Sequence, residues 1–439
     1  MTIHHDELPT AEYGLIEGFY GPPWSHEQRL TWIDLLTRFD MTRYVWAAKQ
    51  EPRHRDRWSE PFTDDELRQF DELARRSPTV ELGVALTPGP EASAGASAGA
   101  SADATTVTAL VGKLGPAVAA GAAFVVLSCD DMPSLDAGSA HRRLAHRLLD
   151  RLEVPVWIVP THYCGSSSSP YLESLCAGLS ADVQVMWTGQ HVVNDRIEAA
   201  EAIRWSELVG RPPLVWDNAP VNDAMMTDAL HLGPLDGLDP GLRAAVRGVL
   251  WNPMEFAAAS SALMSSAAAW ARGDDPWAAW EAWVRGRGWY ALAVATAFPT
   301  DRHWAGGQGT AVFDDADWWR GIRDGLPDDV VAVGLDAGVQ RWNDAARAGA
   351  ALAVDALDTA ARARTRGPGT GTSIRAAGLA ARWADWTRSA PSTFGSGVRR
   401  RPIFTQDHRG EFVHSARSFT RTESPVDHLV RRAIDAPPR

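Results

Sequence analysis

The stretch Ala123-Phe124-Val125-Val126-Leu127-Ser128-Cys129-Asp130-Asp131 reads as a buried strand that ends on two consecutive carboxylates. Neighbouring side chains on a strand face opposite ways, so adjacent aspartates can share one pocket only where the strand opens into a loop. Two carboxyl groups held together resist double ionisation, so one can serve as an acid while its neighbour stays charged. The plainer reading is an Asp-rich turn that caps the next helix, since Asp favours turns and N-caps. The rest of the chain decides between them.

Seven further apolar runs share the pattern. They start at Tyr13, Arg43, Val80, Val154, Val183, Pro213 and Arg247, and segments able to hold helices, such as Ser25 to Phe39 and Ala137 to Leu152, lie between them. Eight β/α units in about 240 residues match the size of a (β/α)8 barrel, roughly 250 residues, with a doubly wound sheet as the alternative. Barrel chemistry sits at the C-terminal strand ends. Polar residues collect there: Glu17 to Tyr20, Lys49 to Glu51, Asp130 with Asp131, Thr161 to Tyr163, Trp187 to Gly189, Trp216 to Asn218, and Asn252. Seven such clusters exceed what turn chemistry alone requires. The fold class is therefore α/β, a (β/α)8 TIM barrel over residues 13–272 after a short tail of 1–12.

Glu91 to Ala102 is built only of Glu, Ala, Ser and Gly and reads as a flexible insertion near the active face. Beyond residue 272 the strand signals fade. Asp275-Pro276 gives an N-cap followed by Pro at the first helical position. Trp277, Trp280 and Val284, then Trp318, Trp319 and Ile322, recur at helical spacing, and Leu335 to Ala363 is alanine-rich. A C-terminal all-helical region over 273–394 follows, its tryptophans read as core. Gly367 to Gly371 is a break between helices, and 395–439 reads as a polar tail of disorder-prone composition.

Composition restricts the function class. A net charge of −12 gives no long-range attraction to nucleic acid or to anionic lipid, and the Arg399 to Arg401 cluster is short. No apolar run approaches the roughly 18 to 20 residues of a membrane span. Three cysteines, Cys129, Cys164 and Cys176, form neither a disulfide framework nor a CxxC spacing, and no basic-then-apolar leader is evident, so the cytoplasm is the expected location. No cofactor motif appears. A metal hydrolase would draw on Asp130, Asp131, His54 and His162, but HxH and HExxH spacings are missing, as is the GxSxG elbow of a serine hydrolase.

Together the strand-end segments resemble glycoside hydrolase family 84, the β-N-acetylglucosaminidases of the O-GlcNAcase type. The resemblance covers roughly residues 13–260. It rests on Ile-Glu-Gly-Phe-Tyr-Gly-Pro-Pro-Trp-Ser from Ile16, Asp-Asp-Met-Pro from Asp130, Pro-Thr-His-Tyr-Cys-Gly from Pro160, Trp-Thr-Gly-Gln-His-Val-Val from Trp187, Trp-Asp-Asn-Ala-Pro-Val-Asn-Asp from Trp216, and Gly-Val-Leu-Trp-Asn-Pro-Met from Gly248. It implies a retaining exo-β-N-acetylglucosaminidase in which the sugar's own 2-acetamido group is the nucleophile, outside the usual two-carboxylate scheme. Asp130 would accept from the acetamido N–H and stabilise an oxazoline-type intermediate, and Asp131 would be general acid and base. Tyr163 would hydrogen-bond the acetamide oxygen, Tyr20 and Trp216 would wall the methyl pocket, and Asn218 would steady the acid or the acetamide. Asp223 and Asn252 would grip the outer hydroxyls, while Gly18 and Lys49 would contact the 3-hydroxyl. No metal is implied. The implied partner is a GlcNAc-bearing glycoprotein or glycoconjugate, and the helical region leaves a homodimer open.

Plainer readings stand beside these: Gly18 as a turn glycine, Trp216 as barrel core, Asp223 as an N-cap, Lys49 as a solvated loop end, Asn252 as a turn before Pro253. The lysine loop is Ala-Ala-Lys-Gln-Glu at 47–51, where the family usually has Ala-Pro-Lys-Asp-Asp. After Tyr163 the chain is small and polar, which leaves aglycone contacts open. The competing functions are a non-hydrolytic sugar-binding barrel and a relative recruited to another reaction on an N-acetylated sugar.

Overall fold

The computed structural model describes residues 11–89, 99–131, 137–297, 310–366, 370–394, 404–407, 409–414 and 424–435. They fall into two compact units. The first comprises the chain up to Val221, Asp236–Glu255 and the described part of Pro402–Ser415. Eight parallel strands run through it: β1 (Glu12–Glu17), β2 (Arg43–Trp46), β3 (Glu81–Leu86), β4 (Phe124–Ser128), β5 (Val156–Val159), β6 (Val183–Trp187), β7 (Leu214–Asp217) and β8 (Gly248–Trp251). They pair in sequence order, and β8 returns to β1 to close the barrel. The doubly wound alternative is thereby excluded, since an open sheet has no such seam. At that seam Glu12 pairs with Gly248 and Leu15 with Trp251. A Cβ on Gly248 would stand 1.8 Å from the Glu12 carbonyl oxygen, so only glycine allows the strands to close here.

All eight strands lie where their apolar runs indicate. The interior is filled by Ile16, Val45, Phe124, Trp157, Met186, Leu214 and Leu250, with the Phe124 and Trp157 rings stacked at 3.8 Å between centroids. Side chains thus pack the barrel centre and leave the strand ends to carry the chemistry. Between the strands lie α1 (His26–Arg38), α2 (Asp64–Arg76), α3 (Gly99–Ala119), α4 (Gly138–Leu152), α5 (Pro170–Cys176) and α6 (Ala199–Val209). Ser25 and Gln28 form a capping box that starts α1, and Thr63 with Glu66 does the same for α2. Of the small-residue insertion, 90–98 lie outside the described residues, and α3 already begins at Gly99.

The second unit holds Asn222–Leu235, the described parts of Phe256–Arg401 and those of Ala416–Arg439. Its helices are α7 (Ala257–Arg272), α8 (Pro276–Gly286), α9 (Tyr290–Thr296), α10 (Ala316–Gly325), α11 (Gln340–Arg366), α12 (Thr370–Ser389) and α13 (Pro425–Ile434). Asp275 caps α8 by accepting from the N–H of Trp277 at 2.9 Å. Trp280, Trp319 and Trp342 are core residues, as their helical spacing requires. The sequence puts the boundary between barrel and helical region at 272, whereas the units divide at Glu255 and Phe256. The 367–369 break lies outside the described residues. Within the polar tail, Phe404–Gln406 (β9) and Phe412–His414 (β10) form an antiparallel hairpin that belongs to the barrel unit. No described helix is long and apolar enough to cross a membrane.

Candidate active site

The aspartate pair sits just past β4. Asp131 has φ of +57°, a left-handed conformation that Asp tolerates better than most side chains, and this breaks the strand's alternation. Both carboxylates then reach one cation: an Arg55 guanidinium nitrogen lies 4.0 Å from Oδ2 of each. Their depths differ. The Asp130 side chain is 9% exposed and the Asp131 side chain 33%, so the first is sunk in the barrel mouth and the second faces its rim.

Asp130 forms an ion pair with Lys49, whose side chain is buried. Its other oxygen, Oδ1, is buried and has no hydrogen-bond partner among the described residues. A buried carboxylate oxygen without a donor is costly and points to a group that the site is built to receive. Asp131 is held by two phenols: the Tyr20 hydroxyl donates to Oδ2 at 2.9 Å and the Tyr163 hydroxyl to Oδ1 at 3.0 Å. Burial, then the neighbouring Asp131 carboxylate, pushes both phenols well above their ordinary range, so both remain protonated donors. Arg55 in turn donates to the Tyr20 oxygen at 3.0 Å.

Lys49 and Arg55 come from one segment after β2, which is braced from two sides. The Lys113 ammonium of α3 donates to the carbonyls of Arg53 at 2.5 Å and Trp58 at 2.9 Å. Glu51 lies 3.5 Å from Arg29, which makes a bidentate pair with the fully buried Glu17, and Tyr44 donates to the same carboxylate. The altered lysine loop therefore keeps one charged anchor in Glu51.

On the opposite wall a chain of amides links β1, β7 and β8. The Gly18 N–H donates to Asn252 Oδ1 at 3.1 Å, Asn252 Nδ2 to Asn218 Oδ1 at 2.9 Å, and Trp216 Nε1 to the same oxygen at 2.9 Å. Asn218 Nδ2 donates to the Val192 carbonyl at 2.7 Å. The Lys49 ammonium stands 5.5 Å from the centre of a Trp216 ring, so this indole faces the aspartate pair while its body belongs to the core.

Gly18, Tyr20, Lys49, Asp130, Asp131, Tyr163, Trp216, Asn218 and Asn252 thus surround one strand-end mouth. Asp223 belongs to the second unit, where it precedes the 3-10 turn Ala224–Met226. His54 and His162 are turned elsewhere. His54 is fully buried with its ring 5.8 Å from Trp46, and burial drives its pKa far down, while His162 Nδ1 lies 2.6 Å from Ser169 Oγ. Among the described residues no cluster of three or more His, Cys, Asp or Glu could hold a metal.

Two site residues escape a reading confined to the first residues after each strand. Arg55 is six positions beyond Lys49, and extending the search through the whole β2 loop finds it. Gln406 lies 243 residues from Tyr163 in the chain, yet its side-chain oxygen accepts the Tyr163 N–H at 2.9 Å; no local pattern announces it.

A sequence model of the family described as beta-N-acetylglucosaminidase matches residues 13–292. The protein O-GlcNAcases of Rattus norvegicus and Mus musculus are each 30% identical over 260 residues, which is 55% of this chain and 28% of theirs. The chain thus spans well under a third of the length of those curated relatives. Among solved structures, a mutant of the O-GlcNAc hydrolase of Thermobaculum terrenum superposes with a TM-score of 0.74 at 20% identity, covering 97% of this chain and 94% of that one. CpGH84B superposes with a TM-score of 0.72 at 19% identity, covering 96% of this chain and 76% of its own. These two likenesses carry the fold. With the family match spanning most of the chain and both aspartates at a closed barrel's mouth, the protein belongs to the β-N-acetylglucosaminidases of glycoside hydrolase family 84.

Proposed function

We propose that the protein is a retaining exo-β-N-acetylglucosaminidase that releases terminal N-acetylglucosamine from a glycoprotein or glycoconjugate by substrate-assisted catalysis. One observation carries this reading: the buried Asp130 has an oxygen with no donor among the described residues, beside the more exposed Asp131, so the pair offers one acceptor site and one proton-transfer site. The acetamido N–H fits the vacant Asp130 oxygen. Donation there makes the acetamide oxygen more nucleophilic, and that oxygen attacks the anomeric carbon as the bond to the aglycone breaks. Asp131 gives its proton to the departing oxygen. It then takes a proton from water, which enters on the same face, opens the oxazolinium ring and regenerates the acetamide. Two inversions give net retention.

Such an intramolecular nucleophile can supply roughly 7–11 kcal/mol through effective molarity, and a positioned acid-base group about 10²- to 10⁴-fold. The protein's main task is to hold the acetamide still. Tyr163 has a single hydroxyl proton, and on substrate binding it turns from Asp131 to the acetamide oxygen. Tyr20 and Trp216 flank the methyl group and Asn218 steadies the pair. Lys49, Gly18 and Asn252 meet the ring hydroxyls, which closes the pocket round a terminal sugar.

The test is proton NMR of the first-formed anomer during hydrolysis of an aryl β-N-acetylglucosaminide. The β-anomer appearing first supports the reading, and the α-anomer appearing first contradicts it.

A further inference from the structure

We propose that Gln406 is a positioning residue for Tyr163, so that the hairpin of β9 and β10, far outside the strand-end motifs, completes the acetamide pocket; this rests on the function proposed above. The loop after β5 leaves the sheet ladder at Pro160, and its backbone groups need other partners. Gln406 supplies them. Its Oε1 accepts the N–H groups of Tyr163 at 2.9 Å and Cys164 at 3.2 Å, and its Nε2 donates to the carbonyls of Thr161 at 2.7 Å and Gly410 at 3.3 Å. Only an uncharged amide offers an acceptor and donors in one plane, the complement of the two N–H groups and the carbonyl that this loop presents.

Gln406 is 8% exposed, so these bonds do not compete with bulk water. The hairpin is tied independently to the loop after β6. The Val192 N–H donates to the Phe404 carbonyl at 2.8 Å, and Thr405 Oγ1 donates to the Gln190 carbonyl at 3.1 Å. Its Phe412 ring lies 6.1 Å from that of Tyr163. Removing the amide alone should therefore release the Tyr163 N–H while the hairpin stays docked. A reacting group displaced by about 1 Å can lose on the order of 100-fold in rate.

The experiment compares the wild-type chain with Gln406→Leu and Gln406→Glu. It reads the thermal midpoint, kcat and KM on an aryl β-N-acetylglucosaminide, and the affinities of two inhibitors. One is a bicyclic thiazoline that mimics the oxazoline intermediate, the other an azasugar without a 2-acetamido group. For Gln406→Leu, kcat/KM and thiazoline affinity should fall about 10- to 100-fold, with azasugar affinity changed less than about 2-fold. Gln406→Glu keeps the acceptor but loses the Nε2 donation to both Thr161 and Gly410, so it should fall between. Equal weakening of both inhibitors would mean general damage and overturn the positioning role, as would Gln406→Leu behaving as wild type. A wild type that neither turns over the substrate nor binds the thiazoline would instead remove the function proposed above, and this role with it.

Discussion

Gly18 lies against Trp216 so closely that a Cβ on it would stand 2.3 Å from the indole Cζ2 and 2.6 Å from Cη2. The glycine here is a packing requirement of the pocket wall, and it also donates its N–H to Asn252. Gly18→Ala must push the indole off Asn218 or shift β1. The expected cost is that of overpacking, about 1–3 kcal/mol, with KM raised. A variant with unchanged melting temperature and KM would show that the wall yields freely.

The buried pair beneath the lysine loop should matter far more than a surface pair. Glu17 is fully buried against Arg29, and Tyr44 donates to it. Glu17→Ala takes away the bidentate partner of the guanidinium and leaves Glu51 at 3.5 Å, and breaking a buried pair from one side costs about 3–5 kcal/mol. Asp34 pairs with Arg76 at 2.6 Å but both are about half exposed, so Asp34→Asn should shift the denaturation midpoint hardly at all. Similar midpoint shifts for the two variants would contradict the assignment of strength by burial.

His141 gives a stability that depends on pH. Burial lowers its pKa to about 4 from the usual 6.5. Its pKa being depressed in the folded state, the neutral form is favoured by folding. The contribution is whole above pH 6.5 and is lost as the pH falls toward 4, about 3 kcal/mol in all. His141→Gln, which can still pair with the Tyr171 hydroxyl, should be less sensitive to acid between those limits. Urea midpoints at pH 7.5 and 4.5 measure this, and equal acid sensitivity in both proteins would refute it.

These sites also show what the sequence makes legible. The eight strands were readable because strands covered on both faces are continuous apolar runs, and the Asp275 cap was readable because caps are local chemistry. The strand-end positions were readable for the same reason: Lys49, Asp130, Asp131 and Tyr163 are each within a few residues of an apolar run. Arg55 lay just beyond that window. Gln406 was illegible because a side-chain amide meeting backbone 243 residues away leaves no periodicity, and its three-residue strand has too little apolar content to register. The Gly99 start of α3 was masked by small residues that carry no hydrophobic face.

The acid role proposed for Asp131 predicts dependence on the leaving group. Asp131→Asn should slow alkyl or peptidyl N-acetylglucosaminides by about 10²- to 10⁴-fold, and dinitrophenyl ones far less, because an acidic phenol departs without protonation. Asp130→Asn should slow both classes, since the acetamide then loses its charged acceptor. Equal losses on both leaving groups with Asp131→Asn would reject the acid assignment.

The central claim is that the substrate's own acetamide attacks the anomeric carbon, and the most direct measurement compares kcat/KM of the wild type on an aryl β-N-acetylglucosaminide and on the matching β-glucoside. The account predicts turnover of the first and a loss of at least about 10⁴-fold on the second, since the glucoside lacks the internal nucleophile. Comparable rates on the two would contradict it.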